Sequence, residues 1–358
     1  VKTIVFTGGG SAGHVTPNMA IIKELNKDWD IHYIGSKKGI EKELIQRISI
    51  PYYEIHSGKL RRYADKENLI DIFKVIKGCI EARSLLKKLK PDLVFSKGGF
   101  VSVPVILAAK SLRIPIYIHE SDMSPGLANK ISQRFATKIF TSFDETKRYF
   151  PEHKTFVIGS PVRKELFNGT ADKGRQFLGF SSRLPILTIM GGSLGAKKIN
   201  EAVRASIDRL TANYQIVHIC GRDHIDETLI MNTRYRQFEY VHDELPDILA
   251  ATDLVITRGG SNAIFEFLAL HIPMIIIPLG LHQSRGDQIL NAKAFEEKGY
   301  SITIEEEYLN QKSLIKTLDS LNKNKSIYDK NMKDSIQRDA LKTLVNEINY
   351  FTSSTNRL

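Results

Sequence analysis

Two α/β domains, each a doubly wound parallel sheet of Rossmann type, are what this sequence predicts, and three observations predict them. A hydrophobic strand runs into a glycine-rich turn and then a helix once in each half, at Ile4-Val5-Phe6-Thr7-Gly8-Gly9-Gly10-Ser11-Ala12-Gly13-His14 and at Ile186-Leu187-Thr188-Ile189-Met190-Gly191-Gly192-Ser193-Leu194-Gly195-Ala196. Short apolar runs alternate with helical patterns of ten to fifteen residues along the whole chain, the signature of buried parallel strands and their crossovers. One segment also recurs: Asp92-Leu93-Val94-Phe95-Ser96-Lys97-Gly98-Gly99 matches Asp253-Leu254-Val255-Ile256-Thr257-Arg258-Gly259-Gly260, and each is followed by an apolar helix, an Ile-Pro pair and another strand. The halves therefore read as copies of one plan facing each other across a cleft, with ligand groups at the carboxyl ends of the strands.

Strands are expected near Thr3 to Thr7, Ile31 to Ile34, Leu93 to Ser96, Ile116 to His119 and Lys138 to Thr141 in the first half. In the second they are expected near Ile186 to Met190, Ile216 to Cys220, Phe238 to Val241, Leu254 to Thr257 and Met274 to Pro278. Gly159-Ser160-Pro161 interrupts the pattern and sets the boundary, giving domains of residues 1–161 and 162–337. A last apolar stripe, Leu341, Leu344, Val345, Ile348 and Phe351, marks a C-terminal helix within 338–358 that is expected to pack back on the first domain.

With 358 residues, 42% apolar and 25% charged, the chain suits two ordinary globular cores. Its longest apolar runs, Val101 to Ala109 and Pro273 to Leu281, fall well short of the ~20 residues that span a bilayer. Two cysteines, one per half, and no export signal point to a reduced, cytoplasmic setting. The net charge of +11 is concentrated: ten basic side chains face four acidic ones between Lys59 and Lys90. That stretch lacks interleaved aromatics or a standard module, which argues against nucleic acid as a partner.

Glycine lets a backbone approach a ligand closely, and the first amides of a helix favour anionic oxygen. Gly8, Gly10 and Gly13 fit a dinucleotide turn, but Tyr33-Ile34-Gly35-Ser36-Lys37-Lys38 has no acidic side chain for an NAD ribose, leaving only an NADP-type oxidoreductase as a minor alternative. His14, closing the turn at the start of a helix, is a candidate general base held neutral by the helix N-terminus. Glu266 stands in a nearly all-apolar helix and needs a partner, whether an arginine, a backbone cap or a pair of adjacent sugar hydroxyls. Leu281 to Gln288, after a strand, is crowded with hydrogen-bonding side chains placed for a ligand.

Taken in order, Thr7 to His14, His119-Glu120-Ser121, Gly191 to Gly195, Arg258 to Ser261 and Gln288 resemble the MurG family of glycosyltransferase family 28, over the span from the first strand to about Ala292. The resemblance implies a GT-B fold and an inverting transfer of N-acetylglucosamine (GlcNAc) from UDP-GlcNAc to the C4 hydroxyl of N-acetylmuramic acid in lipid I, giving lipid II for peptidoglycan. It implies that the C-terminal domain holds the donor and the N-terminal one the acceptor. Arg163 and Ser193 would lie on the diphosphate, the Val241 backbone on uracil, Glu266 on the ribose, and Gln288 on the GlcNAc ring. Ser261, Asn262 and Ala263 would complete the donor site, with Ser11, Ala12, Gly13 and Asp122 at the donor sugar. The loops Gly8-Gly9-Gly10 and Gly191-Gly192-Gly195 would frame both substrates. His14 is the first candidate for the base, with Glu120 and Asp122 as alternates. Two positions depart from the family pattern: Asp122 stands where many relatives have Asn, and Gln288 is single where others have two glutamines in succession. No cofactor and no metal is expected.

A lipid-linked acceptor implies a peripheral enzyme at the cytoplasmic face of the bacterial membrane, beside other cell-wall synthesis and division proteins. The basic stretch offers the surface. Leu69, Ile72, Phe73, Ile76, Ile80 and Leu86 form a helical stripe suited to packing on the sheet, while Ile70 and Val75 fall off it. The expected membrane patch is accordingly Ile70, Phe73, Lys74, Val75 and Lys77. Related-fold alternatives are a glycolipid synthase and a UDP-GlcNAc 2-epimerase.

Overall fold

The computed structural model describes residues 1–25, 27–58, 66–181, 183–192, 196–335 and 339–351, the side chains of 66–70 excepted. The chain divides into two compact units, Val1–Pro161 with Arg338–Leu358, and Val162–Gln337. The first is built on seven strands: β1 (Lys2–Thr7), β2 (Trp29–Ser36), β3 (Tyr52–Ile55), β4 (Leu93–Ser96), β5 (Ile116–Glu120), β6 (Lys138–Thr141) and β7 (Thr155–Val157). All pair in parallel, in the order β3-β2-β1-β4-β5-β6-β7. The second has six: β8 (Ile186–Met190), β9 (Gln215–Ile219), β10 (Tyr235–Phe238), β11 (Leu254–Thr257), β12 (Met274–Ile276) and β13 (Ser301–Thr303). Their order, β10-β9-β8-β11-β12-β13, repeats the first sheet without its last strand.

Each sheet therefore reverses direction at its middle, between β1 and β4 and between β8 and β11, and leaves a crevice at the carboxyl ends there. The recurring segment supplies β4 and β11, the strands beside that point. Its aspartate does the same work twice. Asp92 accepts from the Thr3 amide at 2.9 Å, and Asp253 from the Ile186 amide at 2.9 Å, so each clamps the start of the neighbouring strand.

The central strands are buried on both faces and read as continuous apolar runs; the edges do not. β3 (Tyr-Tyr-Glu-Ile) and β13 (Ser-Ile-Thr) lie at edges, carry partly exposed polar residues and gave no apolar run to read. β10 corrects an expectation: the strand is Tyr235–Phe238, ending where Phe238 to Val241 was expected to begin. As an edge strand it buries only Tyr235 and keeps Arg236 and Gln237 partly exposed, so its pattern is polar, and Val241 falls in the following loop. The helix Ala340–Asn349 joins the first unit, where Leu341, Leu344, Ile348 and Phe351 bury against a core that includes Ile4, Phe6, Tyr117 and Phe140.

The helix Lys66–Leu89 corrects a second expectation. Four residues of the stripe assigned to the sheet point outward instead, Phe73 being 71% exposed, Ile80 66%, and Ile72 and Ile76 about half exposed, and of its described side chains Leu86 alone is buried. Its inward face carries Gly78, Ala82 and Leu86, and Gly78 is required there, because a Cβ would lie 2.0 Å from the His56 carbonyl oxygen. Lys74 and Lys77 are exposed and Val75 is half-buried; the side chains of Leu69 and Ile70 lie outside the described residues. Among the described residues no helix is long and apolar enough to cross a membrane.

Candidate active site

At the carboxyl end of β1 the glycine turn runs into a 3-10 turn, Ala12–His14, and the α-helix starts only at Thr16, with Pro17 in its first turn. His14 thus precedes the helix rather than opening it. Its Nδ1 lies 3.0 Å from the Gly9 carbonyl oxygen and 3.1 Å from Ser11 Oγ. A carbonyl only accepts, so the neutral ring carries its proton on Nδ1 and its lone pair on Nε2. Ser11 and Gly13 are exposed beside it and Ala12 is half-buried.

Glu41 is a functional candidate that the sequence did not reveal. It lies in the first turn of the helix Ile40–Gln46, fully buried, and accepts from the amides of Ser36 (3.1 Å) and Gly10 (3.3 Å). A Cβ on Gly9 would meet its carboxylate at 2.5 Å. An internal carboxylate therefore lies against this glycine turn. The turn also packs on the loop after β4: the Gly9 amide donates to the Gly98 carbonyl at 3.3 Å, and a Cβ on Gly99 (φ +86°) would strike the Gly9 oxygen at 2.1 Å.

Beside these loops the ends of β4 and β5 form a buried polar cluster. Lys97 Nζ donates to His119 Nδ1 and to Ser121 Oγ. His119 Nε2 donates to the Gly159 carbonyl at 3.0 Å, leaving Nδ1 to accept. Glu120 accepts from Asn129 Nδ2 (2.8 Å), the Asp122 amide (2.9 Å) and the Gly126 amide (3.2 Å). Burial pushes the Lys97 ammonium down to about 7, against the pull of Glu120 and Asp122. The same burial, then the charge of Asp122, pushes Glu120 up to about 7. His119 is driven well below its ordinary value by burial and by Lys97, so it is neutral. Lys97 was legible only as the counterpart of Arg258 in the repeat.

In the second unit, Gly191 and Gly192 follow β8, and Ser193 and Gly195 lie outside the described residues. Gly191 is held close, since a Cβ would meet Ala196 Cβ at 2.5 Å, whereas Gly192 (φ +98°) and Gly260 face open space. The helix Ser261–Ala269 begins after Gly260, with Ser261 buried and Asn262 and Ala263 half-buried. Glu266, one turn further, meets Arg163 in a two-pronged pair: Nε to Oε1 at 2.8 Å and Nη2 to Oε2 at 3.0 Å. The arginine weighed as a partner for Glu266 is therefore Arg163. Gln288, in the first turn of Asp287–Glu297, accepts through one oxygen from the amides of Leu279 (3.0 Å) and Gly259 (3.2 Å), tying the loops after β11 and β12 together. Arg258 is buried against Glu306, Nη2 to Oε1 at 2.6 Å, and donates to the Ile277 carbonyl. Within the second unit the structure thus gathers Arg163 with Glu266 and Gln288 with Gly259; in the first it gathers His14 with Ser11 and Gly9, and Glu120 with Asp122.

Comparison with known proteins agrees with this architecture. Residues 4–141 match the glycosyltransferase family 28 N-terminal domain and residues 186–348 its C-terminal domain. A Bacillus cereus protein named UDP-N-acetylglucosamine--N-acetylmuramyl-(pentapeptide) pyrophosphoryl-undecaprenol N-acetylglucosamine transferase 2 is 57% identical, over 97% of this chain and 99% of its own length. The Staphylococcus carnosus transferase of the same name without the numeral is 51% identical over 96% of each. Among solved structures, Acinetobacter baumannii MurG superposes with a TM-score of 0.78 at 24% identity, covering 98% of this chain and all of that one. A UDP-N-acetylglucosamine 2-epimerase superposes at 0.67 with 14% identity over 97% of this chain and 95% of its own, a likeness of fold alone. The two parallel-sheet domains are those of the GT-B fold, and the chain belongs to glycosyltransferase family 28.

Proposed function

We propose that this enzyme moves GlcNAc from UDP-GlcNAc to the C4 hydroxyl of N-acetylmuramic acid in an undecaprenyl-pyrophosphoryl acceptor, lipid I, with inversion at the anomeric carbon. The observation that carries this reading is the 57% identity, along essentially the whole length, to a protein named for that transfer. The second unit supplies the donor groups: Glu266 for the ribose diol, Arg163 and Ser193 for the diphosphate, and the Val241 backbone for uracil. The amide of Gln288, braced by two loop N–H groups, meets the sugar hydroxyls, and Ser261, Asn262 and Ala263 line the helix start. A cation and helix amides on the departing diphosphate lower the barrier by stabilising charge as it develops.

The base is assigned to His14, whose Nδ1–H···O=C bond to Gly9 selects the tautomer with its lone pair on Nε2. Glu120 is less suited, because three donors already engage its oxygens. Asp122 and the Ser11-Ala12-Gly13 segment take the donor sugar. Phe73, Ile76 and Ile80, flanked by Lys74 and Lys77, form an apolar face ringed by ammonium groups that seats on an anionic leaflet at the cytoplasmic face.

One transfer assay tests all three assignments. Labelled UDP-GlcNAc is offered lipid I in anionic vesicles, a short-chain soluble analogue of it, or diacylglycerol, with epimerisation followed in parallel. Transfer to lipid I and to its soluble analogue, and not to diacylglycerol, is expected; product with diacylglycerol, or UDP-ManNAc without any acceptor, would replace the reading. His14→Ala is expected to lower kcat by about 10²–10⁴ with donor affinity kept, and normal turnover would move the base elsewhere. Phe73→Glu with Ile76→Glu is expected to slow transfer in vesicles but not to the soluble analogue. Equal rates on both would remove the membrane face.

A further inference from the structure

We propose that Arg163 is specificity-determining: by pairing with Glu266 through both carboxylate oxygens, it makes the pocket respond to a ribose and a diphosphate only when they arrive joined. This rests on the donor assignment above and goes beyond it. The two side chains assigned to opposite halves of one ligand hold each other, fork against fork, through both carboxylate oxygens. Those same oxygens are the acceptors that a vicinal diol requires. The Glu266 side chain is 13% exposed on a largely apolar helix, between Phe265 and Phe267, and the Arg163 side chain is 34% exposed.

The energetics follow from what each fragment leaves behind. A nucleoside alone must replace an ion pair by hydrogen bonds from uncharged hydroxyls to the carboxylate and strand the guanidinium. A diphosphate alone draws the guanidinium away and strands a poorly solvated carboxylate. Glu165, the other carboxylate acting on Arg163, is exposed and too well solvated to substitute for Glu266. A nucleoside diphosphate gives each charged group a new partner in one event, so its two halves bind cooperatively. The outcome is rejection of free nucleosides without any steric filter.

A four-ligand cycle measures this on the full chain, by competition against labelled UDP: uridine, UDP, 2′,3′-dideoxyuridine and 2′,3′-dideoxy-UDP. The ratio Kd(uridine)·Kd(dideoxy-UDP) to Kd(UDP)·Kd(dideoxyuridine) is expected to be tenfold or more in the wild type and near one in Arg163→Ala. In that variant uridine is expected to bind more tightly than to the wild type while UDP binds more weakly. Glu266→Gln is expected to lose the coupling as well. Arg163→Lys keeps the charge without the fork and is expected to fall between, which covers the case that Arg163→Ala does not fold. A wild-type ratio near one overturns the exchange, as does a ratio that persists in the folded variants. If neither UDP nor UDP-GlcNAc binds the wild type, the donor assignment itself fails, a distinguishable result.

Discussion

The two copies of the recurring segment start alike and end differently. Asp92 and Asp253 make the same strand clamp, and β4 and β11 occupy the same place in their sheets. The next basic residue then meets opposite company. Arg258 buries its guanidinium against the carboxylate of Glu306, whereas Lys97 buries its ammonium against a neutral imidazole and a hydroxyl. A charge with a buried counter-charge is a strut, because both members are expensive to strand. A charge with only neutral ligands is held down by desolvation, and its proton is negotiable near neutrality. One backbone plan thus yields a rigid cradle in the second domain and a titratable cluster in the first.

The largest expected effect breaks the strut. Glu306→Ala leaves Arg258 buried without its partner and is expected to cost about 3–5 kcal/mol in chemical denaturation; a loss under ~1 kcal/mol would show that the pair is solvated in solution. The glycines after the two cations sharpen the contrast. Gly99→Ala meets both a left-handed φ and the Gly9 oxygen and is expected to cost about 2–3 kcal/mol, while Gly260→Ala, at φ −66° with open space around it, is expected to stay within ~0.5 kcal/mol. Equal losses at the two sites would erase the distinction.

The last effect is a slope with pH. Lys97 is lowered from 10.5 to about 7, so between these values the unfolded chain binds more protons and stability rises with pH. Glu120, raised from 4.5 to about 7, acts in the opposite sense below pH 7, so the comparison belongs above it. From pH 8 to 10 the wild type is expected to gain about 2–3 kcal/mol over Lys97→Met, read from urea midpoints at both values. Parallel profiles would mean that Lys97 is already solvated.

Which parts were legible follows the same physics. Central strands such as Leu93–Ser96 and Leu254–Thr257 could be read residue for residue, because burial on both faces forces an uninterrupted apolar run. Edge strands such as β10 could not, since one open side admits Arg236 and Gln237. The helix Lys66–Leu89 misled for a related reason: periodicity gives the spacing of a stripe but not the side it faces, and here small residues, not large ones, meet the neighbouring backbone. Among site residues, Glu266 was singled out by one carboxylate in an apolar helix, whereas Glu41 gave no local sign.

From its own order of residues the chain determined two parallel-sheet domains, the glycine turns at their switch points and the repeat that places a cation beside each, because these depend on local backbone freedom and on burial repeating along one element. Tertiary structure alone decided the partners: Arg163 for Glu266, Glu306 for Arg258, His119 for Lys97, and Glu41 against the first glycine turn. Each joins residues from different elements, and their charge states depend on a solvent exclusion that exists only once those elements have packed.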